Sequence, residues 1–353
     1  MENKLCKLIE EIPEADSKAM RESRQIWDGI AKPLGSLGIL EETLVRIAGV
    51  TGTAEIALKP RSLLVFCADN GVVAQGVTQC GSGVTAAVTR ALAEGRSTVS
   101  PMAALADCRV LPVDMGVIDF PSTPGVLSRR VRNGTADMTL GPAMSREECL
   151  AAILAGAELA RDRAAAGDRL LAVGEMGIGN TTTAAAVAAV LLHRDPDELT
   201  GRGAGLSDAG LERKKAAIRT AIERNRPDAE DVLDVLAKLG GLDIAGMCGA
   251  YLGAAASRRP VLIDGFISAV AALCALRLCP AAKTVLLASH VSAEPAGALL
   301  LRDLGLKPLI SAGMRLGEGS GAVAAMPLLD MALAVYQSGQ SFARLGIEAY
   351  RPQ

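Results

Sequence analysis

The chain has 353 residues, is half hydrophobic yet only 2% aromatic, and sets 37 Lys and Arg against 39 Asp and Glu. That length suits two domains or one large α/β unit with an appendage, and it buries a core without disulfide or metal support. Near-neutral charge and few aromatics exclude a nucleic-acid partner, which would need a basic stripe and stacking platforms. The apolar runs at 184–192 and 265–276 fall short of the roughly 20 residues of a membrane span, and residues 1–11 lack a signal-peptide core.

The first fifty residues read as helices at 3–11, 17–31 and 39–48, with Pro13 ending the first. At Arg61 the pattern changes to short, continuous apolar runs, the mark of strands buried on both faces. Residues 62–67 end at Ala68-Asp69-Asn70-Gly71, 109–113 at Asp114-Met115-Gly116, and 169–173 at Gly174-Glu175-Met176-Gly177. Residues 260–263 end at Asp264-Gly265, and 284–288 at Ser289-His290. All but the run closing at Asp114 lead toward Ala-rich helical stretches, which predicts a doubly wound, parallel α/β sheet. The acidic and Gly-rich punctuation then lies at the carboxyl edge of the sheet, where such folds bind ligands. Residues 121–137 read as a long loop, and 322–335 as a further helix.

Eight cysteines occur singly, without Cys-x-x-Cys spacing, and the histidines are His193 and His290. This pattern predicts reduced thiols in a cytoplasmic protein, with no metal site and no cofactor.

Chemistry concentrates in three segments. Gly174-Glu175-Met176-Gly177-Ile178-Gly179-Asn180-Thr181-Thr182-Thr183 follows a strand and opens a helix, so close backbone approach and free N–H groups suit a phosphate. It is neither Gly-x-Gly-x-x-Gly nor a Walker loop. The Glu175 carboxylate would repel that anion and suits ribose hydroxyls better. Gly201–Asp208 is a second flexible loop; it leads to Lys214 and Lys215, either of which would supply the missing cation. Arg315-Leu316-Gly317-Glu318-Gly319-Ser320-Gly321 sets one carboxylate among glycines, accessible and able to curl around a substrate. Ser289-His290-Val291-Ser292-Ala293-Glu294 has the form of a helix cap. No acidic pair follows a strand to hold magnesium pyrophosphate, and no nucleophile elbow occurs. The residues alone lead to an α/β enzyme that binds a phosphorylated small molecule.

These segments, with Lys32-Pro33-Leu34-Gly35-Ser36-Leu37-Gly38 and Ala68-Asp69-Asn70-Gly71-Val72, occur in an order that resembles the nicotinate-nucleotide–dimethylbenzimidazole phosphoribosyltransferases, over residues 20–340. The resemblance implies a homodimer with a Rossmann-like large domain at 61–321 and a small helical domain from 1–60 and 322–353. It implies transfer of phosphoribose from nicotinate mononucleotide to a benzimidazole-type base in cobalamin lower-ligand assembly. Glu318 corresponds to the catalytic base. Glu175, Gly177, Lys214, Gly265 and Ser292 correspond to the nucleotide site, and Cys80, Val88, Met176 and Leu316 to the base pocket. Asn70 stands where His is common, and Ala204 where Thr is usual. Cys80 and Val88 stand where better-known members carry Ser and Gln. These departures predict a less polar pocket that also admits a related benzimidazole, a purine or a phenol.

Two other readings fit the residues less well. A Rossmann dehydrogenase needs Gly-x-Gly-x-x-Gly after its first strand, which residues 67–76 do not supply. A non-catalytic paralogue or heteromer subunit would have no use for Glu318.

Overall fold

The apolar runs of residues 61–68 and 170–176 lie side by side, Leu64 beside Val173 and Phe66 beside Glu175. They belong to a six-stranded parallel sheet in a computed structural model that describes residues 1–350. Its strands are β1 (Arg61–Ala68), β2 (Arg109–Gly116), β3 (Leu127–Ser128), β4 (Leu170–Met176), β5 (Val261–Ile263) and β6 (Leu286–Ala288). Their order is β3-β2-β1-β4-β5-β6. The chain winds outward from β1 to β3, then returns beside β1 and winds the other way. The crevice between the carboxyl ends of β1 and β4 is therefore the topological switch point.

The period of two along each strand sorts the apolar residues onto two faces. Leu64, Phe66 and Val173 join one core with the helices Arg146–Ala165, Asn180–Leu191, Leu242–Ala256 and Phe266–Leu278. Leu63, Val65 and Ala172 join a second core with the helices Ser17–Gly29, Ile39–Thr51 and Ser320–Tyr336. No helix among the described residues is long and apolar enough to cross a membrane.

The chain's two ends meet on that second face. The Trp27 and Tyr336 rings pack edge to face at 5.2 Å, the Tyr336 hydroxyl donates to the Ala54 carbonyl at 3.0 Å, and the Ala31 N–H donates to the Gln340 carbonyl at 2.8 Å. Arg61, at the foot of β1, pairs with Asp330 of the terminal helix at 2.7 Å. Helix Glu2–Glu10 instead lies across the sheet, with Leu5 and Leu8 in the first core. Residues 351–353 of the expected helical unit lie outside the described residues.

Three expectations change in detail. The loop expected at 121–137 contains the edge strand β3, which pairs only Leu127 and Ser128 with β2 and is too short for a periodic signal. The strand expected at 284–288 is cut to three residues, because Thr284 and Val285 complete a 3₁₀ turn begun at Pro280. The helix expected at 17–31 stops at Gly29, where Ile30 turns extended and bridges to Ser341. All eight cysteines are free, with Cys6 exposed, Cys80 half-buried and the rest buried. Burial pushes the thiols of Cys67, Cys108 and Cys149 up to about 12.

Candidate active site

A cleft of roughly 270 Å³ opens at the switch point. Glu175 and Met176 enter it because β4 ends there, and the chain turns through Gly177 and Gly179 into helix Asn180–Leu191. A methyl group on Gly177 would lie 2.9 Å from Asp243 Oδ2 and 3.2 Å from Asn70 Nδ2, so only glycine lets this turn close over the end of β1. The Glu175 carboxylate accepts a hydrogen bond from Asn180 Nδ2. Desolvation and the charges of Asp243, Asp264 and Glu318 push Glu175 up to about 8.

Glu318 reaches the same cleft from the loop before helix Ser320–Tyr336. Gly317, Glu318 and Gly319 all have left-handed backbones, with φ of +88°, +58° and +80°. That conformation is unfavourable for a glutamate and needs support from its surroundings. Asp264, just past β5, provides it by accepting N–H groups from Gly319 (3.1 Å), Gly321 (2.7 Å) and Ala322 (3.2 Å). One Glu318 oxygen, Oε2, accepts from the Val99 N–H at 3.2 Å; the other has no hydrogen-bond partner among the described residues. Gly317 packs against Glu175 Oε1. Two carboxylates from distant segments thus meet across one glycine. Asp264 is itself buried, which pushes it up to about 7 despite its three donors.

The cationic contribution comes from Lys214, on helix Asp208–Asn225. It is 1% exposed and lies just behind the cleft wall rather than on it. Its ammonium donates to Thr181 Oγ1 at 2.8 Å and to the Gly201 carbonyl at 3.0 Å, tying together the two glycine-rich loops. Burial lowers its pKa to about 8, opposed by the charge of Glu294. Lys215 points elsewhere and pairs with Glu212 at 3.1 Å. Gly265 and Ser292 line the cleft beside Arg202, Arg315 and His290. The Ser292 hydroxyl accepts the Glu294 N–H at 3.3 Å, and burial lowers the His290 pKa.

Cys80, Val88, Met176 and Leu316 come together on the apolar part of the wall. Leu316 is 52% exposed, an apolar surface at the mouth of the cleft. Gln79 ties this wall to the Gly201–Asp208 loop by donating to the Ala204 carbonyl at 2.7 Å.

All the sequence-derived site residues thus lie on or directly behind one cleft wall. Sequence reasoning missed Thr181, Asn180 and Asp243, and it quoted Asp264 without giving it a role. Thr181 and Asn180 stood inside the Gly174–Thr183 segment, where the pattern read only as turn and cap. Asp243 follows Gly240-Gly241 at a helix start and is indistinguishable from an ordinary capping acid.

The sequence matches the phosphoribosyltransferase family over residues 12–347. It is 42% identical to the nicotinate-nucleotide–dimethylbenzimidazole phosphoribosyltransferase of Acetivibrio thermocellus, an alignment covering 99% of each chain. It is 44% identical to the enzyme of the same name from Ruminiclostridium cellulolyticum, over 98% of each. The crystal structure of nicotinate-nucleotide–dimethylbenzimidazole phosphoribosyltransferase from Thermus thermophilus superposes with a TM-score of 0.88 at 39% identity, covering 94% of this chain and 99% of that one.

Proposed function

Since the chain belongs to the nicotinate-nucleotide–dimethylbenzimidazole phosphoribosyltransferase family, we propose that it transfers the 5-phosphoribosyl group of β-nicotinate mononucleotide to 5,6-dimethylbenzimidazole or a related base. The products are α-ribazole 5′-phosphate and nicotinate. The observation that carries this reading is the meeting of Glu175 and Glu318 in one cleft with the loops joined by Lys214.

Nicotinate leaves with its ring nitrogen neutral. The C1′–N bond breaks, its electron pair returns to the ring nitrogen, and no general acid is required. The incoming base attacks C1′ from the opposite face with its unprotonated ring nitrogen, which inverts β to α and requires the reactants in line. Its other ring nitrogen must then lose a proton, and Glu318 is placed to take it through the oxygen that Val99 leaves free. General-base help of this kind contributes roughly 10²–10⁴-fold. Glu175 faces the ribose and stabilises the positive charge that grows at C1′. Lys214 and Thr181, with Gly177, Gly265 and Ser292, hold the phosphate end. Cys80, Val88, Met176 and Leu316 receive the base. Cys80 and Val88 offer it little to hydrogen-bond, which favours a broad base range.

The enzyme works as a cytoplasmic homodimer, its catalytic unit drawn from 61–321 and its smaller helical unit from 1–60 and 322–353, apart from helix Glu2–Glu10, which packs in the other core. Purified protein incubated with nicotinate mononucleotide and dimethylbenzimidazole, benzimidazole, adenine or phenol should release nicotinate only when a base is present. No release with any base would refute the transferase reading, and strict preference for dimethylbenzimidazole would refute the broadened pocket. Sedimentation of the same sample tests the dimer.

A further inference from the structure

A second carboxylate lies directly behind Glu175. Asn180 is the first residue of its helix, and its side-chain Nδ2, which donates to Glu175, also lies 3.0 Å from Asp243 Oδ2 and donates to it. An amide nitrogen carries two hydrogens, and here each carboxylate takes one. Asp243 is fully buried, with 0% exposure, and cannot touch a substrate. Its only other side-chain hydrogen bond among the described residues is from the adjoining Ile244 N–H to Oδ1, at 3.0 Å. Glycines leave room for it from two directions. Gly177 closes over Oδ2, and a methyl on Gly241 would meet Oδ1 and lie 2.6 Å from Asn70 Oδ1. A buried carboxylate without a cation is costly to maintain as a mere structural element. This one is packed from two loops and aimed through one amide at Glu175.

We propose that Asp243, acting through the Asn180 amide, is a positioning residue that sets the orientation and charge state of Glu175 for a positively charged ribosyl pyridinium. The inference rests on the reading that Glu175 faces the ribose. The charges that raise Glu175 most are carboxylates: Asp243 behind it, Asp264 beyond β5 and Glu318 across Gly317. Asp69, after β1, acts in turn on Asp243. Cys67, on β1 beside Met176, is buried and stays a neutral thiol. Of the cations at the cleft, Arg202 bonds to Leu206 and Asp208 and Lys214 to Thr181 and Gly201, while Arg315 lines the wall. Two carboxylates sharing one amide in a desolvated floor cannot both ionise cheaply, so Glu175 and Asp243 retain a proton between them until a cationic substrate arrives. Bound nucleotide then faces two negative groups, one directly and one through the amide.

The test is the pH dependence of kcat/KM for nicotinate mononucleotide in the wild type, Asp243→Asn, Asn180→Ala and Glu175→Gln. Removing the Asp243 charge should move the acidic limb to lower pH by roughly one unit. Removing the amide donor should move it to higher pH, because that hydrogen bond favours the ionised Glu175. A limb unmoved in Asp243→Asn, whatever the loss of rate, would reduce Asp243 to a structural residue and overturn the proposal. Should Asp243→Asn fail to fold, Asp243→Ser, which also removes the charge, decides in its place, a downward shift supporting the proposal and an unchanged limb overturning it. Glu175→Gln isolates the premise. Wild-type rate and limb in that variant would mean that Glu175 itself has been misread, whereas loss of the limb there with none of the expected shifts elsewhere would fault only the relay.

Discussion

Gly174 of β4 and Glu318 of the distant Gly317–Gly319 turn approach so closely that a methyl group on Gly174 would lie 2.6 Å from the Glu318 carbonyl carbon. The contact fixes how far the Glu318 backbone stands from the end of β4, and hence from Glu175 one residue on. Gly174→Ala must push the turn outward against the three hydrogen bonds of Asp264. Overpacking of this kind costs about 1–3 kcal/mol, and a displacement near 1 Å costs turnover up to about 10²-fold. The variant should fold, bind nicotinate mononucleotide within a few-fold of the wild type, and turn over about 10–100-fold more slowly. Full turnover would show that the turn tolerates displacement and that its close packing serves only the core.

Glu318→Gln preserves the shape of the turn and an oxygen for the Val99 N–H, but removes the proposed proton acceptor. Steady-state turnover should fall by at least about 10²-fold, while nucleotide affinity measured by calorimetry stays close to wild type. A near-normal rate would remove Glu318 from the mechanism.

The sheet was legible because a strand buried on both faces leaves an uninterrupted apolar run, and because glycine and acid crowd the ends of β1, β4 and β5. The glycines around Glu318 carried enough signal to mark that carboxylate. What the sequence hid is whatever depends on contact between distant segments. Leu5 and Leu8 show a helix but not which side of the sheet it covers. Leu127 and Ser128 form a strand only because Val113 and Asp114 are there to pair with. Lys214 and Lys215 are equivalent in one dimension; the helix turns the first toward Thr181 and the second toward Glu212. Asp264 and Asp243 look like caps. Asp264 does cap a helix, but one that begins 56 residues later than itself (320 less 264), and only the fold reveals that this helix carries Glu318.

Lys214 predicts a basic limb. Burial lowers its pKa to about 8, so the free enzyme loses the ammonium as pH rises through that value, while bound phosphate holds the proton in place. Nucleotide affinity should therefore fall above pH 8 in kcat/KM but not in kcat, which reports the bound complex. Lys214→Ala should weaken binding by roughly 10–100-fold, the value of a charge-assisted hydrogen bond, and abolish that limb. Calorimetric titration with nicotinate mononucleotide at pH 7 and pH 9 checks both. Equal affinity for the variant and the wild type at pH 7 would place the phosphate elsewhere.

The acidic floor also predicts a conflict between activity and stability. Glu175, Asp243 and Asp264 sit at about 8, 6 and 7 in the folded chain, against ordinary values of 4.5, 3.8 and 3.8. Each binds its proton more tightly folded than unfolded, so its contribution to stability is complete below the ordinary value and is lost as pH rises through the folded one. For Glu175 that window runs from about 4.5 to about 8. Its charge opposes folding on the alkaline side, where the proposed mechanism uses it. Glu175→Gln keeps an oxygen for the Asn180 amide and removes the charge, so the variant should be inactive yet melt at least about 2 °C higher than the wild type at pH 9. At pH 5 the two should melt together. Thermal unfolding of both proteins between pH 5 and pH 9 measures the difference, and parallel curves across that range would mean that Glu175 titrates in the fold as it does in the unfolded chain.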